Sequence, residues 1–297
     1  MFSIYSAAIF LFSAFFSLSV QAQSGTLEKL RATQVIKIGI NPDIAPFSFL
    51  NAAKQPAGYA VDVCEELVNY IKKETRLPNL AVKYVLLTDS TRISNLKSGG
   101  IDMECGASTN TKARQEEVGF SYTYFVAGLR VLSVKNKTIA TIQNLNGLKV
   151  AVIAGATSEK LLMQVNAGSG TITIKPYSSN TAAFKALQNG EVQAMVDDDL
   201  LLLEVLGQAK ATDQFQMSNF ALSVEPYAIM LRKDDTAFQR LLDSGLAKLF
   251  ASEEIRKIYN TWFVTDALNF PVNRLTHESM VRPNKEPGVA MLLGYSL

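Results

Sequence analysis

The chain offers few of the side chains that carry nucleophilic or metal chemistry. Its 297 residues include one histidine, His277, and two cysteines, Cys64 and Cys105. So few soft ligands nearly exclude a zinc finger or an iron–sulfur centre. The sequence also has no Gly-x-Ser-x-Gly turn of the kind that exposes a serine nucleophile. We therefore expect no metal and no cofactor, and any chemistry must come from carboxylates, hydroxyls, lysine or arginine.

Composition and charge favour a folded chain whose partner is not a nucleic acid. The apolar fraction is 48% and the charged fraction 19%, which supplies a packed core and argues against disorder. Lys plus Arg number 29 and Asp plus Glu 27, so the formal net charge is +2 with no long run of either sign. Nucleic-acid binders usually carry a concentrated basic stripe. The length allows roughly two domains.

The N-terminus predicts export. Residues 1–22 carry no charged side chain, and their apolar run over 7–20 suits a signal-peptide core but is short for a membrane span. The small or aliphatic residues of Val20-Gln21-Ala22 place cleavage after Ala22. An uncleaved anchor is the alternative, because no Lys or Arg precedes the run. In an oxidising compartment Cys64 and Cys105 can pair; the other possibility is that both are small buried apolar residues.

Predicted strands and helices alternate along most of the chain. Strands are predicted over 35–40, 81–87, 101–105, 149–153, 171–175, 192–196 and 227–231. Helices are predicted over 61–74, 91–97, 158–165, 181–188, 236–250 and 252–263, and residues 269–297 are expected to be irregular. This alternation predicts an α/β fold with mainly parallel sheets. Segments 96–103 and 187–194 echo each other, each with a helix end, a glycine and a strand, which suggests two similar lobes.

Several motifs occur in a specific order. They are Pro46-Phe47, Gly58-Tyr59 with Asp62, the run from Glu104 to Asn110 followed by Arg114-Gln115, Gly155-Ala156-Thr157-Ser158-Glu159, Asp198-Asp199, and Tyr227 before Met230-Leu231-Arg232. In this order they resemble the periplasmic amino-acid-binding proteins of ABC importers, solute-binding family 3. They are similar in particular to the glutamate/aspartate-binding branch, and the resemblance spans residues 27–263.

The resemblance implies a type II periplasmic-binding-protein fold with two α/β lobes, two hinge strands and a ligand in the cleft between the lobes. The implied division is a signal peptide over 1–22, lobe 1 over 23–128 and 226–265, lobe 2 over 129–225, and a tail over 266–297. The hinge crossings fall near 126–130 and 224–227. It also implies a monomer in the periplasm that binds a free L-amino acid and delivers it to a membrane permease.

The resemblance assigns roles that suit an amino acid, which carries a carboxylate and an ammonium on adjacent atoms. Arg114 can meet the carboxylate with its planar fork, and the backbone N–H of Thr157 reaches the same group from the opposite lobe. The acceptors implied for the ammonium are the Ala107 carbonyl, the Thr109 hydroxyl and the Asp198 carboxylate.

Each of these residues also has a purely structural interpretation. Arg114 would then be a solvated helix residue, and Thr109 an N-cap. Thr157 would only begin a helix, and Asp198 would cap the predicted helix over 200–206.

The chain departs from the branch where a ligand side chain would lie. Asn41 and Asn180 stand where the branch has an arginine and a histidine, and Asp89 stands where it has a serine. Arg92 is kept, and Ala107 replaces a serine while retaining the carbonyl. The pocket has therefore lost a positive charge and gained a negative one.

Two interpretations of this pocket follow. In the first, Arg92 binds a carboxylate or amide oxygen, Asn41 and Asn180 add hydrogen bonds, and Asp89 only orients Arg92. In the second, Asp89 faces a donor on the ligand and favours an amide or basic side chain. The sequence favours a polar or acidic amino acid of the glutamate, aspartate, glutamine or asparagine kind.

Three classes of function compete on this scaffold. The favoured one is a non-enzymatic binding protein. A second is a dehydratase-type enzyme in which Asp89 or Glu104 serves as general acid. The third is a ligand-sensing module that acts on a partner other than a transporter.

Overall fold

The computed structural model describes residues 25–168, 170–265, 268–291 and 295–296. The predicted signal peptide, residues 1–22, lies outside the described residues. Within them, no helix combines the length and the apolar character needed to cross a membrane.

Strands and helices alternate as the sequence predicts. The helices are α1 (Thr26–Thr33), α2 (Tyr59–Thr75), α3 (Arg92–Lys97), α4 (Lys112–Gln115), α5 (Thr157–Gly168), α6 (Asn180–Gln188), α7 (Asp199–Gln208), α8 (Thr236–Phe250), α9 (Glu254–Phe263) and α10 (Arg274–Val281), with a 3₁₀ turn at Ile142–Leu145. The strands are β1 (Val35–Ile40), β2 (Asp43–Ile44), β3 (Ser48–Leu50), β4 (Pro56–Ala57), β5 (Ala81–Leu86), β6 (Met103–Glu104), β7 (Val118–Val134), β8 (Lys149–Ile153), β9 (Thr173–Tyr177), β10 (Ala194–Asp198), β11 (Phe215–Met217), β12 (Ser223–Arg232), β13 (Val289–Ala290) and β14 (Tyr295–Ser296).

One continuous sheet runs through both lobes in the order β5-β1-β6-β12-β7-β10-β8-β9. In lobe 1, β1 pairs in parallel with β5 and with β6. In lobe 2, β8 pairs in parallel with β9 and with β10. The long strands β7 and β12 pair with each other antiparallel and join the two halves, with Ser223 opposite Leu129 and Arg232 opposite Val118. They are the two hinge strands of a type II periplasmic-binding-protein fold.

Periodicity predicted the buried faces better than the strand ends. In α2 the side chains of Val63, Leu67, Val68 and Ile71 are all buried. Ile101 and the corresponding Val192 of lobe 2 are buried too, but the pairing strands begin two residues later, at Met103 and Ala194. Hydrophobicity reports burial, whereas a strand is defined by its backbone hydrogen bonds. The echoed glycines Gly99 and Gly190 both adopt φ +75°, as their place after a helix end requires.

Lobe 1 is built around a cluster of buried aromatic rings. Phe125 of β7 lies 4.8 Å from Phe47, 5.6 Å from Tyr227 and 5.2 Å from Phe263, measured between ring centroids. Since Phe125 and Tyr227 come from the two hinge strands and Phe263 from α9, this cluster anchors the strands to lobe 1. Lobe 2 has apolar layers on both faces of its sheet.

Cys64 and Cys105 form a disulfide that links α2 to the residue after β6. The pairing predicted for an oxidising compartment is confirmed, and the alternative of two free buried thiols is wrong.

The C-terminal segment contains α10 and the short strands β13 and β14, which corrects the expectation of an irregular tail over 269–297 for those residues. Helix α10 packs on β7, where the hydroxyl of Thr276 accepts a hydrogen bond of 3.0 Å from the Val126 N–H. The segment then pairs β13 with β12, with Ala290 opposite Ser223. It thus contacts both hinge strands. The pattern missed it because the residues that α10 buries, Thr276 and Ser279, are polar.

Candidate functional site

A narrow cavity lies between the lobes, where the carboxyl ends of the parallel strands meet. In α/β sheets this edge is where ligands bind. Its lining residues are Ile44, Asp89, Arg92, Ala107, Thr109, Arg114, Ile153, Ala156, Thr157, Asn180, Asp197, Asp198 and Leu201. Eight of the nine site residues predicted from the sequence are among them. The ninth, Asn41, does not line the cavity itself but contacts a residue that does: its amide nitrogen donates a 3.0 Å hydrogen bond to Asp89.

Arg114 reaches across the cleft from the short helix α4. Its Nη1 donates to the Thr109 carbonyl at 2.9 Å, and its Nη2 donates to the Gly155 carbonyl of the other lobe at 3.1 Å. Burial, followed by the charge of Arg92, lowers the pKa of Arg114 to about 10, so the Arg114 guanidinium is still charged at neutral pH. An anion between the two arginines would relieve their repulsion.

The helix that carries Arg114 is capped by Thr111, whose hydroxyl accepts from the Arg114 N–H at 3.1 Å. The alternative in which Thr109 is the N-cap is therefore wrong. Thr109 instead forms an isolated β-bridge with Tyr227 and faces the cavity.

Asp198 lies where β10 ends and α7 begins. It occupies the N-cap position, but its side chain makes no capping hydrogen bond, so the alternative that it serves as a side-chain cap is wrong. Its carboxylate instead accepts a hydrogen bond from the Tyr227 hydroxyl. Burial, followed by the charges of Glu225 and Asp197, raises the pKa of Asp198. A cation bound here would remove part of that penalty.

Thr157 and Asn180 each begin a helix of lobe 2 and are buried at the cavity wall. A helix N-terminus presents free backbone N–H groups, which favour anions. Ser179, rather than Asn180, caps α6 by accepting from the Ala182 N–H at 3.2 Å. The Asn180 side chain is therefore available to the cavity.

Half-buried Asp89 and buried Arg92 form an ion pair with 2.6 Å between Oδ1 and Nη1. Asp89 also accepts the hydrogen bond from Asn41, so its two oxygens are both engaged. This contact agrees with the interpretation in which Asp89 orients Arg92.

The sequence missed Asp197, which lines the cavity beside Asp198. Its Oδ1 accepts from the Asp198 N–H at 2.9 Å. Burial raises the pKa of Asp197 to about 7, and the charges of Asp89 and Glu225 add to this, against the hydrogen bond from the Asp198 backbone. The run of three aspartates at a strand end was a signal that could have drawn attention to it.

The lobes are in contact around this cavity. The Thr181 hydroxyl of lobe 2 donates to Asp43 of lobe 1 at 2.9 Å. Gly155 has φ +82°, and a β-carbon on it would lie 2.9 Å from the Cα of Ser90 in lobe 1. The backbones of Gly155 and Ser90 therefore meet directly where the lobes close. Asp43, which contacts Thr181 across the cleft, is a second residue that the sequence analysis did not identify.

Metal binding finds no support in the part of the chain that the structure describes. No group of three or more His, Cys, Asp or Glu side chains there has the arrangement needed to hold an ion. The carboxylates at the cavity face arginines and a tyrosine hydroxyl instead.

A two-lobed fold whose cleft is lined by fixed positive and negative groups is the architecture of a solute-binding protein. Residues 36–265 match the family model of the bacterial extracellular solute-binding proteins, family 3. The chain belongs to that family.

Named relatives agree in fold and extent. The L-glutamate/L-aspartate-binding protein of Pseudomonas aeruginosa is 35% identical over 279 residues, which cover 90% of this chain and 91% of that protein. The glutamate/aspartate import solute-binding protein of Escherichia coli is 35% identical over 243 residues, covering 82% and 80%. Among solved structures, an ancestral arginine-binding protein bound to arginine superposes with a TM-score of 0.70 at 26% identity, covering 77% of this chain and 98% of that one.

Proposed function

We propose that this protein is the extracytoplasmic substrate-binding component of an ABC importer for a polar or acidic amino acid. Residues 1–22 would direct its export to the periplasm, where it would act as a monomer and pass its ligand to a membrane permease. The observation that carries the proposal is that Arg114 of one lobe and Asp198 of the other face one buried cavity.

The two charges suit the two ends of an amino acid. Arg114 already directs one nitrogen to each side of the cleft, to the carbonyls of Thr109 and Gly155. A ligand carboxylate would offer this fork a charged acceptor, which makes a stronger hydrogen bond than a neutral carbonyl. The ligand ammonium would meet Asp198 and the carbonyl of Ala107. Because such a ligand would touch both lobes, it would stabilise their closure.

In this proposal, lobe 1 (23–128 and 226–265) and lobe 2 (129–225) close by bending of β7 and β12. Within the proposed tail (266–297), Thr276 and Ala290 contact those strands, so this part would move with the hinge.

A thermal-shift panel of the twenty amino acids on the mature protein, freed of carried-over ligand by unfolding and refolding, tests this function. A ligand at 100 times its Kd adds about 2.7 kcal/mol to the free energy of unfolding. If no amino acid raises the melting temperature, the proposal is wrong.

Arg114→Ala tests the carboxylate site directly. We expect affinity for the best ligand to fall at least tenfold, about 1.4 kcal/mol, as measured by calorimetry. Arg256→Ala is the matched control, since the Arg256 side chain is 70% exposed on α9. Unchanged affinity in Arg114→Ala refutes the carboxylate assignment.

The dehydratase alternative has less support. Asp89 is held in an ion pair with Arg92, whereas a general acid must have a proton to give. The Glu104 carboxyl has a pKa raised by burial, yet it is not among the described residues that line the cavity. The relatives named above are binding proteins. We infer that the chain binds its ligand without converting it.

A further inference from the structure

The cavity keeps three polar side chains that neither end of an amino-acid backbone uses. These are Arg92 from lobe 1 and Asn180 and Asp197 from lobe 2. They are buried, with 4% of each residue exposed. A ligand side chain held between Arg114 and Asp198 would meet them.

Two of these side chains have a hydrogen-bonding atom without a partner. Within the described part of the chain, Nε of Arg92 and Oδ2 of Asp197 are buried and make no hydrogen bond. The Asn180 amide lies within reach of the Asp197 carboxyl and lowers its pKa as a hydrogen-bond donor, against the larger effect of burial, but it forms no well-aligned bond to Oδ2. A buried polar atom left unpaired costs about 1–3 kcal/mol. Apart from Oδ1 of Asp198, which is left for the ligand ammonium, the site therefore presents one unmet donor and one unmet acceptor.

The charge of Arg92 is already balanced. Its guanidinium lies 2.6 Å from Asp89, and Asn41 holds that carboxylate from the other side. A second carboxylate, on the ligand, would compete with Asp89 and would approach Asp197. The pocket thus lacks the uncompensated positive charge that an acidic side chain requires.

Three kinds of ligand side chain, a carboxylate, a cation and a carboxamide, can be compared by the hydrogen-bonding atoms of Arg92 and Asp197 that each would leave unpaired. A carboxylate has acceptors only, so it can serve Arg92. Against an ionised Asp197, the form present above its pKa of about 7, it sets a like charge and an unmet acceptor. An ammonium or guanidinium has donors only, so it can serve Asp197 but leaves Nε of Arg92 unmet and adds a cation beside it. A primary carboxamide has both a carbonyl oxygen and an NH₂ group.

We propose that this cavity selects an amino acid whose side chain ends in a primary carboxamide, with its oxygen accepting from Arg92 and its nitrogen donating to Asp197. This inference rests on the proposed function, because it assumes that an amino acid backbone is held by Arg114 and Asp198. It makes Asp197 and Asp89 the residues that exclude glutamate and aspartate.

Calorimetry on the refolded mature protein with glutamine, asparagine, glutamate, aspartate and arginine tests the selection. We expect glutamine or asparagine to bind at least tenfold tighter than the acid of the same length and than arginine. If an acidic amino acid or arginine binds as tightly, the carboxamide inference is wrong and the proposed function stands. If none of the five binds, and no other amino acid does in the thermal-shift panel, both fail.

Asp197→Asn tests the mechanism of selection. The change preserves shape and removes the charge, and the new amide can donate to a ligand carboxylate. We expect the ratio of amide affinity to acid affinity to fall at least tenfold. Asp213→Asn, an exposed site with the same change of charge, should leave that ratio unaltered.

Because both ligands are measured on one protein, a general loss of structure cancels in the ratio. Asp89→Asn gives an independent result: with Arg92 freed of its partner, affinity for the acid should rise relative to the amide. An unchanged ratio in both Asp197→Asn and Asp89→Asn overturns the inference.

Discussion

Asp197 should make the ligand-free protein less stable as the pH rises, and Asp197→Asn should remove that loss. Burial, followed by the charges of Asp89 and Glu225, raises the pKa of Asp197 from 3.8 to about 7 in the folded chain. The folded state therefore holds the Asp197 proton more tightly than the unfolded state. For such a group, stability is full below the unfolded pKa and is lost as the pH rises through the folded pKa.

The size of the effect follows from the two pKa values. One pKa unit corresponds to about 1.36 kcal/mol, so the full loss between acid and alkaline pH is about 4 kcal/mol. About 2 to 3 kcal/mol of that loss falls between pH 5 and pH 8. An asparagine carries no titrating proton, so the variant should escape this part of the pH dependence.

Urea unfolding of ligand-free wild type and Asp197→Asn at pH 5 and pH 8 measures the difference. The single tryptophan, Trp262, reports on lobe 1, and circular dichroism reports on the whole chain. If the fluorescence and circular dichroism transitions coincide, the unfolding can be treated as two-state and a free energy of unfolding can be calculated. We expect the variant to gain about 2 to 3 kcal/mol on the wild type between the two pH values.

The charge of Asp197 also raises the pKa of Asp198, so the asparagine variant loses that part of the Asp198 shift as well, and the measured gain reports on the two carboxyl groups together. The exposed control Asp213→Asn should change by less than about 0.5 kcal/mol relative to wild type. If Asp197→Asn raises the free energy of unfolding relative to wild type equally at both pH values, or more at pH 5, burial does not raise the pKa of Asp197.

Two further perturbations test the closure of the cleft and the covalent link. Gly155→Ala should weaken ligand binding at least tenfold in calorimetry, because its φ of +82° and the 2.9 Å approach to the Cα of Ser90 leave no room for a β-carbon. Gly207→Ala, with nothing within 4 Å of the added carbon, is the control, and equal affinity in Gly155→Ala would contradict the close approach. Replacing Cys64 and Cys105 together by serine should lower the free energy of unfolding by about 3 to 4 kcal/mol, as expected for a disulfide that closes a loop of this length. The two residues are 41 positions apart, and a loss under about 1 kcal/mol would show that the bond does not restrict the unfolded chain.

Much of the fold could be predicted because its elements bury apolar faces at regular spacing. Strand β1 and helix α8 begin and end at the residues that the sequence predicted, Val35–Ile40 and Thr236–Phe250. The C-terminal segment could not be predicted this way. Helix α10 is held by hydrogen bonds to the backbone of Val126 on β7: the Val126 N–H donates to the Thr276 hydroxyl, and the Val126 carbonyl accepts from the Asn273 amide. Hydrophobic periodicity carries no signal for a helix that packs through polar side chains.

In the candidate site, too, the sequence pattern fails to predict the place of one residue, Asp197. Alternation along a strand places Asp197 and Asp198 on opposite faces, so a sequence interpretation that assigns Asp198 to the cavity assigns Asp197 elsewhere. The structure brings both to the cavity, because β10 ends at Asp198 and the chain turns there into α7. The period of two applies inside a strand and fails where the strand stops.

The number of charged residues in the sequence also fails to predict how many ligand carboxylates the cavity can bind. The sequence supplies Arg92 and Arg114 as two cations, which would suit a ligand with two carboxylates. The structure pairs Arg92 with Asp89 at 2.6 Å, while the hydrogen bonds of the Arg114 guanidinium to the described residues go to the backbone carbonyls of Thr109 and Gly155. One of the two positive charges is thus neutralised before a ligand enters, and the other remains for an α-carboxylate. Pairing, rather than the number of charges, decides how many carboxylates this cavity can hold.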